Sequence, residues 1–341
     1  MNSPVNNPVN SHTHASVRPR WHTAAAVLRH PALKVAAPLA LLAATGIWGA
    51  VTGDVAGLRI ASTVLMYIAL AEGWNLLGGY AGYLNFGTVI FLGIGAYTTA
   101  IAVTGTGVNA LVTLPLAALV AGAVSVLIGI PGFRLRGDYF AVATFVLTLA
   151  AKELANVLGI TGGSVGLFLP PVADSLSAST RLFFFLFLAL AAISVAICWV
   201  SERTRWFSAL VAVREDEDAA EVLGVPTLRL KVVALAVGAA IAGAAGSLYA
   251  AQSLYIEPTG TFDFRVSLAV VVAVILGGKG TWYGPVAGAV LTQFLATQLF
   301  VRMQGVWDQL IFGLLLIAVA LLAPRGITRP TRRARGRRFG V

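Results

Sequence analysis

The chain is poor in charge, in cysteine and in histidine, and each scarcity removes a class of protein. Only 11% of its 341 residues are charged, against about 25% in soluble domains. That is too little polar surface to coat a water-soluble globule of this length. A soluble enzyme and a disordered scaffold are both excluded. The single cysteine, Cys198, lies in an apolar run, so no disulfide framework and no thiolate metal site can form. The histidines, His12, His14, His22 and His30, all precede the first apolar run. The apolar body therefore offers no imidazole for a zinc site, a triad or a proton relay. No metal and no cofactor is expected.

What the chain has instead is apolar length. Hydrophobic residues make up 58% of it and the mean hydropathy is +0.84. A helix crossing the hydrocarbon core needs ~20 mostly apolar residues. About ten such runs are present, at 35–53, 58–78, 85–104, 108–130, 139–158, 182–200, 230–250, 266–278, 284–301 and 307–323. The fold class is all-α, a polytopic transmembrane helix bundle. The eighth run is too short for a straight crossing and ends in Gly277-Gly278, while the ninth begins at Gly284-Pro285. This pair reads as a broken or re-entrant region. The first run is longer than a signal-peptide core of ~7–15 residues and is expected to be retained.

Basic residues set the orientation. With both termini in the cytoplasm, only Arg59, Arg181, Arg265 and Arg302 fall outside and Lys152 within a span; the rest of the 24 Lys and Arg face inward. Residues 1–34 form a polar cytoplasmic tail, 35–325 the membrane domain and 326–341 an Arg-rich tail. The net charge of +10 and the terminal arginines read as a stop signal that attracts anionic membrane lipid, not nucleic acid.

No motor is visible. A P-loop requires G-x-x-x-x-G-K-[ST], and the nearest fragment, Gly277-Gly278-Lys279-Gly280-Thr281, has Gly after its Lys. No hydrolase or dinucleotide fingerprint occurs. The protein is expected not to be an enzyme, so active transport would draw on an ion gradient or on another chain.

The largest inner loop, about 201–229, contains Arg214-Glu215-Asp216-Glu217-Asp218-Ala219-Ala220-Glu221-Val222-Leu223-Gly224-Val225-Pro226. Acidic residues suit a helix N-terminus, Gly224 suits its stop and Pro226 blocks continuation. The segment reads as a short helix whose small residues admit a partner, or as an ordinary solvated loop.

Some polar residues lie at membrane depth. Glu72 and Asn75 are neighbours on one helical face, placed where an ionisable group is costly unless paired or hydrated. They are candidates for a translocation pathway or for hydrogen bonds between helices. Asn85 follows a glycine-rich bend (Gly78, Gly79, Gly82) that could expose backbone to a solute. Lys152, Glu153 and Asn156 read as snorkelling outward. Thr292, Gln293 and Gln298 could bond between helices. The spacings Gly78-x3-Gly82, Ala239-x3-Gly243, Ala242-x3-Gly246 and Gly284-x3-Gly288 read as close helix packing.

Several blocks carry a resemblance. The segment from Glu72 through Gly87 (EGWNLLGGYAGYLNFG), then Phe91–Tyr97, Gly137–Ala141, Thr161–Leu167, and Gly277-Gly278-Lys279-Gly280-Thr281-Trp282-Tyr283-Gly284-Pro285, resemble in order the blocks of the LivM-type branched-chain amino acid ABC permeases. Lys152-Glu153 departs from the Gly-Glu pair expected there. The resemblance implies a membrane-spanning subunit of a bacterial inner-membrane ABC importer. It would carry branched-chain amino acids or related small polar solutes inward. Its partners would be a second related permease, two ABC ATPase subunits and a soluble substrate-binding protein. The loop helix would be the ATPase contact, with Ala219, Ala220 and Gly224 docking and Glu217 and Glu221 flanking. A sugar-type ABC permease is the same machine with another cargo; an autonomous secondary carrier is the alternative class.

Overall fold

The structure, a computed structural model, describes residues 54–302. The expected spans 35–53 and 307–323, both tails and the Gln298 side chain lie outside the described residues. Helix α1, Val55–Trp74, is capped by Asp54, whose carboxylate accepts the Gly57 N–H at 3.0 Å. It runs on as a π-helical segment, Asn75–Ala81, and stops at Gly82 with φ +81°. Then follow α2 (Thr88–Thr106), α3 (Leu114–Gly132), α4 (Asp138–Val157), α5 (Leu176–Ser201), α6 (Arg205–Glu215), α7 (Glu217–Val222) and α8 (Thr227–Ser253). The series ends with α9 (Pro258–Thr261), α10 (Phe264–Gly277) and α11 (Gly284–Arg302). Two short strands, β1 (Leu167–Phe168) and β2 (Tyr255–Ile256), pair antiparallel, with Leu167 opposite Ile256.

Seven of these segments, among the described residues, are long and apolar enough to cross a membrane: α1 with its π turn, α2, α3, α4, α5, α8, and α9–α10 together. Every expected run from 58 to 301 is a helix, with ends displaced by a few residues. The eighth run is a 14-residue helix, too short by itself as expected. The turn Pro258–Thr261 precedes it, and the combined segment Pro258–Gly277 is 20 residues long, enough for a crossing. Asp263 then restarts the helix, accepting the Arg265 N–H at 2.9 Å.

The long α8 packs against α1, α2 and α3, and missing side chains let it do so. Gly238 faces the backbone of Gly73 on α1, Gly243 faces Gly95 of α2 and Ala117 and Ala121 of α3, and Gly246 abuts the Leu92 carbonyl. Both small-residue spacings on α8 thus pack, and Gly284-x3-Gly288 packs likewise, with Gly288 against the Ala273 carbonyl of α10. Buried hydroxyls add a polar stitch: Thr99 donates to Ser247 at 2.7 Å and Thr113 to Thr99 at 3.0 Å. Outside this core, α3 and α4 turn branched side chains outward; Leu127 is 74% and Val157 82% exposed. Such a surface suits lipid, where all backbone groups are satisfied inside each helix.

The two ends of the bundle differ in their number of basic residues. Arg134, Arg136, Arg203, Arg205, Arg214, Arg229 and Lys279 lie at the end that carries α6 and α7. Arg59, Arg181 and Arg265 mark the other, where β1 and β2 pair.

Candidate functional site

The inner loop holds two helices where one was expected. Helix α6 buries Leu210 and Val213 against the bundle. Helix α7 starts where Asp216, in extended conformation, accepts the Ala219 N–H at 3.0 Å. Glu217 and Asp218 occupy its first turn, where the helix dipole favours negative charge. It ends as expected at Gly224, φ +83°, and the Val225 N–H returns to the Ala220 carbonyl at 3.0 Å. This is the left-handed stop that satisfies a last-turn carbonyl.

The outward surface of α7 differs from the expected one. Ala219 and Gly224 are exposed, but Ala220 is 3% exposed and packs into the chain's own core. Glu221 accepts from the Thr227 hydroxyl at 2.5 Å. The most prominent outward groups are Val222 and Leu223, 88% and 84% exposed. The sequence carried a signal for them: an apolar pair immediately before a glycine stop, at the polar end of a bundle, has no core of its own to enter.

Glu217 points inward. Its Oε1 accepts from the Lys231 ammonium of α8 at 2.5 Å, and its Oε2 accepts from the Tyr83 hydroxyl. Lys231 also donates to the Tyr83 oxygen at 3.1 Å. The ammonium is 2% exposed and lies 4.7 Å over the Tyr83 ring and 5.2 Å over that of Phe133. Tyr83, Phe133 and Phe140 complete the box, with edge-to-face contacts from Tyr83 and a 5.0 Å stack between the two phenylalanines. Burial opposes ionisation of Glu217, but the hydrogen bonds from Lys231 and Tyr83 outweigh it and hold the carboxyl below its usual range. Burial, with the neighbouring Glu217 carboxylate, pushes the Tyr83 phenol up. Asp218 pairs with Arg136 at 2.7 Å across exposed surface, a contact worth little by itself.

Of the polar residues expected at membrane depth, Glu72, Asn75, Asn85, Thr292 and Gln293 are buried, whereas Glu153 is exposed and Lys152 and Asn156 are half-buried. Glu72 lies against α5, where the Cys198 thiol donates to its backbone carbonyl at 3.4 Å; neither carboxyl oxygen has a hydrogen-bond partner. Asn75 reaches the loop between α10 and α11, accepting the Gly280 N–H at 3.0 Å and donating to the Thr281 carbonyl at 3.1 Å. Asn85 accepts the Gly87 N–H at 2.7 Å, and its backbone carbonyl accepts the Trp74 indole N–H at 2.6 Å. Asn85 also lines a small cavity with Gly73, Trp74, Thr88 and Gly238. The irregular backbone from Gly82 to Gly87 is satisfied from α4: Thr144 accepts the Phe86 N–H at 3.0 Å, and Thr148 donates to the Phe86 carbonyl at 3.3 Å. Glu202, beyond the end of α5, accepts from the Trp282 N–H at 2.6 Å and from Tyr80 at 3.2 Å. Its burial pushes the carboxyl above its usual range despite those donors. On the other side, Asn156 donates to Glu153 at 3.4 Å. Among the described residues no three His, Cys, Asp or Glu side chains converge to hold a metal.

Comparison with known proteins fits this architecture. A family model described as the branched-chain amino acid transport system permease component matches residues 57–320. The high-affinity branched-chain amino acid transport system permease protein LivM of Salmonella typhimurium is 32% identical over 304 residues, which cover 80% of this chain and 70% of the relative. Its Escherichia coli K12 counterpart is 31% identical over the same length and shares. The autoinducer 2 import system permease protein LsrC of Escherichia coli O9:H4 is 31% identical over 151 residues, 42% of this chain and 44% of the relative. No solved structure matches the chain. A match that runs from the first turn of α1 past the end of α11, on a bundle of apolar helices, means that this chain belongs to the branched-chain amino acid transport permease family.

Proposed function

We propose that the chain is the membrane-spanning subunit of an inner-membrane ABC importer that moves branched-chain amino acids inward. ATP would be hydrolysed on two separate ATPase subunits. A second related permease and a soluble substrate-binding protein would complete the assembly. The observation that carries this reading is α7. It is an acid-capped helix at the basic end of the bundle, which the positive-inside rule makes cytoplasmic. It exposes an apolar knob, Val222-Leu223, and is anchored inward by Glu217. An apolar pair this exposed belongs in a partner's pocket. An ATPase groove there would turn nucleotide-driven closure into a push on α7, and the spans would alternate their access. The docking surface comprises Ala219, Val222, Leu223 and Gly224, with exposed Glu221 flanking it, Ala220 supporting it from behind and Glu217 serving as its anchor. In the same reading, Asn85 with its cavity, Glu72 on α1 and Asn75 at the start of the π turn flank the translocation path.

Leu223→Asp tests the docking. The position is exposed, so folding should change by no more than about 0.5 kcal/mol, while a buried anchor at an interface is worth at least about 2 kcal/mol. The variant should fold normally and lose the ATPase subunits on co-purification, along with ATP-driven uptake. Retention of both would place the ATPase contact elsewhere.

A second reading keeps the machine and changes the cargo. It draws on the match to autoinducer 2 import permeases across part of the chain. Competition of labelled leucine uptake by other small polar solutes separates the two.

A further inference from the structure

We propose that Tyr83 and Lys231 are positioning residues that tie α7 to the π-helical turn, so that displacement of α7 is delivered to Asn75–Ala81 and onward to the α10–α11 loop. The inference rests on α7 being the ATPase contact. The inner loop grips the π turn at two points. Arg214, at the end of α6, donates to the Gly79 carbonyl at 3.3 Å. Just past the turn, Tyr83 is held by Glu217 of α7 and by Lys231 of α8. Gly82 sits between the two grips, and a Cβ there would run into the Arg214 side chain. At its far end the turn is fastened by Asn75 to Gly280 and Thr281. The polar contacts of α7 with Tyr83 and those of Asn75 with the loop joining two spans are thus connected through the backbone of the π turn.

The chemistry makes α7, Tyr83 and α8 move together. Lys231 is a buried cation, and Glu217 is the carboxylate that pairs with it. Drawing α7 away would strand the ammonium among aromatic rings, a strongly unfavourable state. Two hydrogen bonds to Tyr83 extend the constraint to the chain leaving α1. The π turn is the compliant element. Its hydrogen-bond register is already wide, and such segments recur where helices shift at functional sites. Gly78 and Gly79 remove the side chains that would block a shift; a Cβ at either would meet Trp74 or Asn75. A structural pair would hold shape only. A coupling pair must also transmit motion, and the two roles can be separated.

The test is the double variant Glu217→Gln/Lys231→Met in the reconstituted importer, with Tyr83→Phe as its companion. Removing both charges of a buried pair is often neutral for folding. Three quantities are read: ATPase subunits co-purified, ATP hydrolysed, and labelled leucine transported per ATP in proteoliposomes. In complexes that assemble and hydrolyse ATP, the double variant should carry at least about tenfold less leucine per ATP than the parent. A ratio within about twofold of the parent, well below the usual range of coupling between sites, would overturn the proposal. If the double variant fails to assemble, Tyr83→Phe decides, since it keeps the ring and removes only the hydroxyl: the ratio should fall several-fold, and an unchanged ratio overturns the proposal. A parent complex with no ATP-dependent uptake would instead refute the importer reading beneath it, whatever the variants do.

Discussion

At the scale of single residues, the inner loop turns on which way each side chain of a six-residue helix points. Glu217 and Lys231 form a pair buried unequally, with 14% and 2% of their side chains exposed. Removing the carboxylate should therefore cost more than removing the cation. Glu217→Gln strands a buried ammonium and should approach the ~3–5 kcal/mol typical of a broken buried pair. Lys231→Met leaves a carboxylate that can turn toward water. Thermal unfolding of the two variants in detergent should rank them in that order. Acid acts on the same group. The folded-state carboxyl lies below its usual range, so its contribution is fully present above the ordinary value of ~4.3. It is lost only as pH falls through the lower folded value. The anchor should hold through neutral and mildly acidic pH, and the unfolding temperature of Glu217→Gln should lose this low-pH dependence. Glu72 presents the opposite case. With neither oxygen paired, Glu72→Leu should raise stability by about 1–3 kcal/mol. A lower unfolding temperature would reveal a partner for the carboxyl.

Part of this was legible before the fold. The acidic first turn and the stop at Gly224 follow from local chemistry. The inward turn of Glu217 and Ala220 does not. A helix this short has no periodicity from which to tell its two faces, and the partner Lys231 stands 14 positions along the chain.

At the scale of elements, the helices follow from composition, because lipid admits apolar runs only as helices. Their exact ends, the β1–β2 pair and α6 do not. Each strand is two residues long. Helix α6 carries arginine at both ends, and its only fully buried side chains are Leu210 and Val213, a pattern too sparse to distinguish from a solvated loop. The glycine cluster Gly78, Gly79 and Gly82 falls where the helix widens into the π turn and stops. Close packing at Gly246 gives a direct check. Gly246→Val would place its side chain against the Leu92 carbonyl of α2, and overpacking of this kind costs about 1–3 kcal/mol. A lower unfolding temperature with unchanged ATPase co-purification is the expected result, since α7 lies at the far end of α8.

At the scale of the molecule, the chain has the parts of a conduit: apolar helices, a polar interior stitched by hydroxyls and carboxamides, and one exposed apolar knob at its basic end. In the proposed assembly the driving force comes from another chain. The central claim is that solute moves through this polypeptide only when a separate ATPase pushes on α7. The decisive measurement is uphill uptake of labelled leucine into proteoliposomes, made with the chain alone and with its permease, ATPase and binding-protein partners plus ATP. Accumulation only in the complete, ATP-supplied vesicles is the predicted result; accumulation against a gradient by the chain alone would contradict it.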